Sequence, residues 1–158
     1  MNIDFKKLLK PYKNESIKAL QEWIRINSVD DPSSSSEEKP FGEGVTRALE
    51  YIATLGEKEG FSVDRCDNYC TEISYGKGDL ISVYAHCDVV PATGNWNHDP
   101  FDPVIENDVM YGRGTSDDKG PAMAAFYALK ALKDNNLIKS KEKLLKEIKY
   151  DYRRNKKT

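Results

Sequence analysis

Six consecutive residues constrain this chain most: Leu80-Ile81-Ser82-Val83-Tyr84-Ala85. The run is nearly all apolar. Turn-forming Gly76-Lys77-Gly78-Asp79 bounds it upstream, and the polar His86-Cys87-Asp88 bounds it downstream. It is far too short to cross a bilayer, which takes about 20 apolar residues. Its length and β-branched content predict a strand, and the lack of a polar face predicts cover on both sides. Such a strand needs neighbours, and the rest of the sequence has the periodicity to supply them.

Phe5, Leu8 and Leu9 predict a short helix stopped near Pro11. Asn14 is the expected cap of a second helix, with Ile17, Leu20, Trp23 and Ile24 on one face. Residues 28–44 hold two prolines, two glycines and the serine run 33–36, and read as a mobile loop. Val45, Ala48, Leu49, Ile52 and Leu55 return to helical spacing, with Gly60 as the stop. The period then changes to two: Phe61 with Val63, and Ile73 with Tyr75, predict half-buried strands. Val104-Ile105 and Val109-Met110-Tyr111 around Glu106-Asn107-Asp108 predict a hairpin. Ala122, Ala125, Phe126, Leu129 and Leu132 predict a helix over about 119–133. The expected fold class is α/β, a mixed β-sheet flanked by helices in an α/β sandwich.

At 158 residues the chain has the size of one domain. The net charge of −2 excludes a uniformly basic nucleic-acid binder. No apolar run is long enough for a membrane span, and residues 1–9 lack the apolar core of a secretory signal. Cys66, Cys70 and Cys87 have neither zinc-knuckle nor Cys-x-x-Cys spacing, so reduced thiols in a cytoplasmic protein are expected. The charge is uneven. Residues 130–158 carry eleven Lys or Arg against four Asp or Glu, whereas residues 1–129 carry thirteen against twenty-two. The expected organisation is therefore a main part over residues 1–136, followed by a basic, atypical tail over 137–158. That tail reads as a solvated, frayed helix rather than a nucleic-acid arm.

Two elements carry chemistry. In an extended chain His86 and Asp88 point one way and Cys87 the other. A carboxylate beside an imidazole is the usual partner of a metal-bound histidine, because it fixes the tautomer. The end of a buried strand is also where α/β sheets bind ligands. The second element is Gly112-Arg113-Gly114-Thr115-Ser116-Asp117-Asp118-Lys119-Gly120-Pro121, where paired carboxylates stand at the start of a helix. Taken alone, these are capping residues suited to a positive helix end. Taken with His86, a carboxylate there can bridge two divalent ions.

These residues carry a resemblance. Tyr84-Ala85-His86-Cys87-Asp88-Val89-Val90-Pro91, Trp96 with Asp99-Pro100-Phe101, and the stretch from Tyr111 through Pro121 resemble the co-catalytic zinc peptidases of family M20. The wording is most similar to the bacterial PepV-type, carnosinase-like dipeptidases, and the likeness spans roughly residues 14–137. The resemblance implies a dipeptidase using two zinc ions, with manganese or cobalt as alternatives, acting on a dipeptide or another small-molecule substrate. An N-acyl amino acid deacylase of the same family and a non-catalytic remnant are the alternatives. It implies His86 and Asp117 as metal ligands, Asp117 bridging, and Asp88 orienting His86. It also implies a cis peptide bond after Asp117. Asp118 and Lys119 receive no ligand role. His98 matches no family ligand and reads as a surface-loop residue, and Cys87 as a filler behind the strand.

The chain also departs from the family pattern. The family's general base belongs to an adjacent Glu-Glu, and the sole Glu-Glu here is Glu37-Glu38, far upstream. The later ligands and the lid domain have no counterpart. The expectations are a truncated or frameshifted fragment, a last strand with an exposed edge open to self-association, and no hydrolysis by this chain alone.

Overall fold

The computed structural model describes residues 3–138 and the backbone of residues 142–149. Helix α1 (Phe5–Leu9) passes through a 3-10 turn at Lys10–Tyr12 directly into α2 (Lys13–Ile24). That continuity overturns the expected Asn14 cap. Asn14 lies inside α2, and the residue at the cap position, Tyr12, makes no side-chain capping bond because the preceding turn already leads into the helix. The loop after α2 is organised by Asp31, whose carboxylate accepts from Ser33 N and from the Ser33 and Ser34 hydroxyls. Helix α3 (Gly42–Lys58), strands β1 (Ser62–Asp64), β2 (Cys70–Gly76) and β3 (Asp79–Ala85), the hairpin β4 (Val104–Glu106) with β5 (Val109–Tyr111), and helix α4 (Lys119–Asp134) follow where the periodicity puts them.

The tail does not. Residues Glu142–Lys149 form strand β6, not a helix. β6 lies between β2 and β3, antiparallel to the first and parallel to the second, giving a mixed sheet of order β1-β2-β6-β3. The gap between two strands with open edges selects an extended partner, because edge N–H and C=O groups are satisfied only by another strand. The remaining tail residues, 139–141 and 150–158, lie outside the described residues, as does the outer part of the expected domain boundary.

The core lies between the helices and one face of the sheet. Trp23 of α2 is wholly buried, and its indole N–H donates to Ala48 O at 2.9 Å. Thr71 Oγ1 donates to Leu49 O of α3 at 3.1 Å, so β2 and α3 are tied as well as packed. Ile73, Phe126, Leu129 and Ile52 join the same cluster. Each such side chain contributes about 1.5–3 kcal/mol by leaving water. Both α3 and α4 pack on the same face: Gly56 of α3 meets Ile73, and Lys133 of α4 lies over Tyr75, two residues along β2. The mixed sheet with flanking helices is therefore as expected, but the cover on both faces of β3 is not. Leu80 is 55% exposed and Tyr84 64% exposed, and Ile81 and Val83 are also open to solvent. Among the described strands β3 pairs with β6 alone, so it is an edge strand, and the described helices cover one face of the sheet.

Candidate functional site

His86 is the first residue beyond β3, in a loop that folds into the core. Cys87 and Val89 are buried, and two bonds fix their backbone to Ser28: its hydroxyl donates to Cys87 O at 2.6 Å, and Val89 N donates to its carbonyl at 3.1 Å. The alternation expected from an extended chain therefore holds, with Cys87 turned inward and His86 and Asp88 turned to the site. Burial pushes the Cys87 thiol up to about 12, so it is neither a thiolate nor a ligand at neutral pH.

The second element is a compact turn before α4. Arg113 N donates to Pro100 O at 2.7 Å, and Gly120 N to Gly114 O at 3.2 Å. Gly114 has φ +92°, and a Cβ on Gly120 would lie 1.9 Å from Thr115 O, so glycine is required at both positions. The Asp117–Asp118 peptide bond is cis, as the resemblance implies. Asp118 precedes α4 without capping it. Its Oδ2 accepts the backbone N–H of His86 at 3.2 Å, joining the two elements.

The structure brings His86, Asp88 and Asp117 together. His86 Nε2 faces Asp117 Oδ1 at 3.0 Å. On the other side Nδ1 lies 3.0 Å from Asp88 O and 3.2 Å from Asp88 Oδ1. One N–H cannot align with both oxygens; the carbonyl takes the hydrogen bond and the buried Oδ1 provides charge. Held first by Asp88 and then by Asp117, against the opposing effect of burial, the imidazole is pushed up to about 9. These groups line a cavity of about 230 Å³ together with Val89, Val90 and Arg113.

Imidazole nitrogen opposite carboxylate oxygen is a donor set suited to zinc or manganese. The 3.0 Å separation is close to the ~3.4 Å that two ligands span across a tetrahedral zinc. The pair thus fits such an ion, as part of a shell. Among the described residues no three His, Cys, Asp or Glu side chains form a metal-holding group.

Sequence reasoning missed Lys119. It is wholly buried, and its Nζ donates to Trp23 O at 3.0 Å and Ile26 O at 2.8 Å, above the Trp23 ring at 5.8 Å. These are carbonyls at the C-terminal end of α2, where a helix leaves acceptors unpaired. Burial pushes the ammonium down to about 8, opposed by the charge of Asp88, so it remains protonated at neutral pH. The signal was present: Lys119 precedes Ala122, Met123 and Phe126 at helical spacing and so belongs to the core face. His98 lies in a surface loop, as expected. It is partly shielded, 3.5 Å from Glu106 and against the Tyr111 ring, in a second cavity described below.

The model of Peptidase family M20/M25/M40 matches residues 82–144. A Bacillus subtilis (strain 168) protein named "Putative dipeptidase YtjP" is 50% identical over 130 residues, covering 82% of this chain and 28% of that protein. Human carnosine dipeptidase 1 superposes with TM-score 0.79 at 21% identity, over 98% of this chain and 36% of that one. The M20 family metallo-carboxypeptidase Sso-CP2 from Sulfolobus solfataricus gives TM-score 0.66 at 26% identity, over 85% of this chain and 30% of that one. This chain belongs to peptidase family M20, and it spans less than a third of the length of the curated relatives it matches.

Proposed function

We propose that the chain is the part of a metal-dependent dipeptidase that carries the first ligands of a two-metal site. The supporting observation is the facing pair of His86 Nε2 and Asp117 Oδ1 at 3.0 Å, with Asp88 behind the imidazole. His86 offers Nε2 to one ion. Asp88 holds Nδ1–H, which fixes the tautomer that leaves Nε2 free to ligate. Asp117 would supply the carboxylate shared by the two ions. Asp118 holds the backbone of His86, so the two ligand-bearing segments move as one. A bound pair of divalent ions would polarise the peptide carbonyl and supply hydroxide near neutral pH.

The proton work is missing from this stretch. The family's Glu-Glu has no counterpart after residue 120, and a positioned general acid–base group contributes about 10²–10⁴-fold. The chain by itself should therefore bind metal weakly and hydrolyse unblocked dipeptides at no useful rate. Calorimetric titration with Zn²⁺ and Mn²⁺, alongside a dipeptide panel, tests this. Weak binding lost in His86→Ala supports the reading. Tight binding of two ions per chain, or turnover that survives Asp117→Asn, overturns the assignment of ligands.

A further inference from the structure

A second cavity, of about 650 Å³, opens beside the His86–Asp117 pair and shares Gly112, Thr115 and Ser116 with the first. Ser116 immediately precedes Asp117, so an occupant of the second cavity lies next to the proposed reaction centre. One wall is the 95–99 loop and the other is the β4–β5 hairpin. Trp96 and Tyr111 provide aromatic surface, Asn97 an amide, and Asp99 and Glu106 carboxylates. Among the described residues no Lys or Arg lines this cavity.

The walls are fixed. Asp102 in the loop pairs with Arg25 of α2 at 3.0 Å, and Pro103 O accepts from Gln21 at 3.2 Å. Asp99 Oδ1 accepts Phe101 N at 2.8 Å. The nearby cation, Arg113, donates to Pro91 O at 3.2 Å and stacks on Trp96 at 5.1 Å, which occupies one face of that ring. His98 Nε2 lies 3.5 Å from Glu106 Oε1, a distance that leaves the carboxylate able to accept a further donor.

We infer that this cavity is the subsite for a cationic side chain, that of Lys or Arg, in the dipeptide substrate. Two carboxylates with no lining Lys or Arg among the described residues favour a cation through ion pairing, and the Trp96 and Tyr111 rings give apolar surface for its methylene stem. The same lining repels a carboxylate. The inference rests on the dipeptidase reading for its substrate, but binding to the cavity can be measured without catalysis.

The test uses the full chain without added metal. Chemical-shift titration follows the Trp96 indole N–H and the His98 ring, with Gly-Lys, Gly-norleucine and Gly-Glu as probes. The expected result is Gly-Lys binding at least about tenfold more tightly than Gly-norleucine, with Gly-Glu weakest. Glu106→Gln, a change at an exposed carboxylate, should remove most of that preference, and His86→Ala should leave it intact. Equal affinities, no binding of any probe, or a preference unchanged by Glu106→Gln overturns the subsite. A Lys preference that persists while His86→Ala has no effect on zinc binding overturns the ligand assignment instead, and leaves the subsite standing.

Discussion

Strand β3 and the loop that leaves it are adjacent in sequence and opposite in environment. Leu80, Ile81, Val83 and Tyr84 are exposed, whereas Cys87 and Val89, a few residues on, are buried. Among the described strands β3 has a partner on one edge, but the loop is held from two directions: by Ser28 through Cys87 and Val89, and by Asp118 through the backbone of His86. The difference teaches that the frame of the site does not depend on a finished sheet. It depends on a short tether between the start of α4, the end of α2 and the loop after β3, all contained in residues 13–134.

The largest way to break the comparison is to cut that tether. Lys119→Met keeps the buried apolar stem but leaves Ile26 O without the Lys119 donor and Trp23 O with the Ile26 N–H alone. One orphaned acceptor and one lost charge-assisted bond make a loss of about 2 kcal/mol the expected outcome. Urea unfolding followed by Trp23 fluorescence measures it, and the His86 and Asp117 resonances should broaden in the surviving folded state. A loss below about 1 kcal/mol would place Lys119 among ordinary surface contacts and remove the tether from the account.

Much of this frame was legible in the sequence. Helical spacing in α3 and α4, alternation in β1 and β2, and the Glu106-Asn107-Asp108 turn depend on local pattern, and local pattern locates them. The approach of His86 to Asp117 was legible only through the resemblance of the two motifs taken together, because neither segment alone implies it. Three features did not follow. The Asn14 cap failed because capping depends on what precedes the helix, and here a 3-10 turn continues into it. The cover of β3 failed because an apolar run reports what a strand tolerates, not which neighbours stand beside it. The tail failed because Lys and Glu favour helix in isolation, while the vacant slot between β2 and β3 favours strand; tertiary context outweighs propensity.

A middle-sized effect concerns the exposed side of the comparison. β3 carries a single charge, Asp79, exposes apolar side chains on both faces, and among the described strands has no partner on its second edge. Strands of that kind pair with other chains unless charge or proline blocks them. Self-association is therefore expected, and Leu80→Lys should weaken it by about tenfold or more while leaving the thermal midpoint nearly unchanged. Light scattering over a concentration series reads this. A monodisperse monomer in the unmodified chain, with a sharp melt, would show that the edge is harmless and the contrast with the loop merely geometric.

The smallest effect sharpens the buried side, and it is read by pH. The folded chain holds the His86 proton up to about 9, against an ordinary 6.5. Between those values the folded state binds more protons than the unfolded state, so stability falls as pH rises through the window. The contribution is complete below 6.5 and gone above about 9. Asp117 is largely exposed, so screening keeps the contribution to roughly 1 kcal/mol. Lys119 titrates in an overlapping range with the opposite sign. Its folded value of about 8 lies below the ordinary 10.5, so the folded state binds fewer protons there and stability rises with pH. A stability curve above pH 8 therefore mixes the two, and an imidazole NMR titration separates them. The His86 midpoint should fall in Asp117→Asn and fall further in Asp88→Asn, because Asp88 is the stronger of its two partners. The same proton competes with a metal ion for Nε2, so zinc affinity should grow up to about tenfold per pH unit until the midpoint is passed. A His86 midpoint near 6.5 with pH-independent zinc binding would mean that the imidazole faces water rather than Asp117, and the site would lose its defining pair.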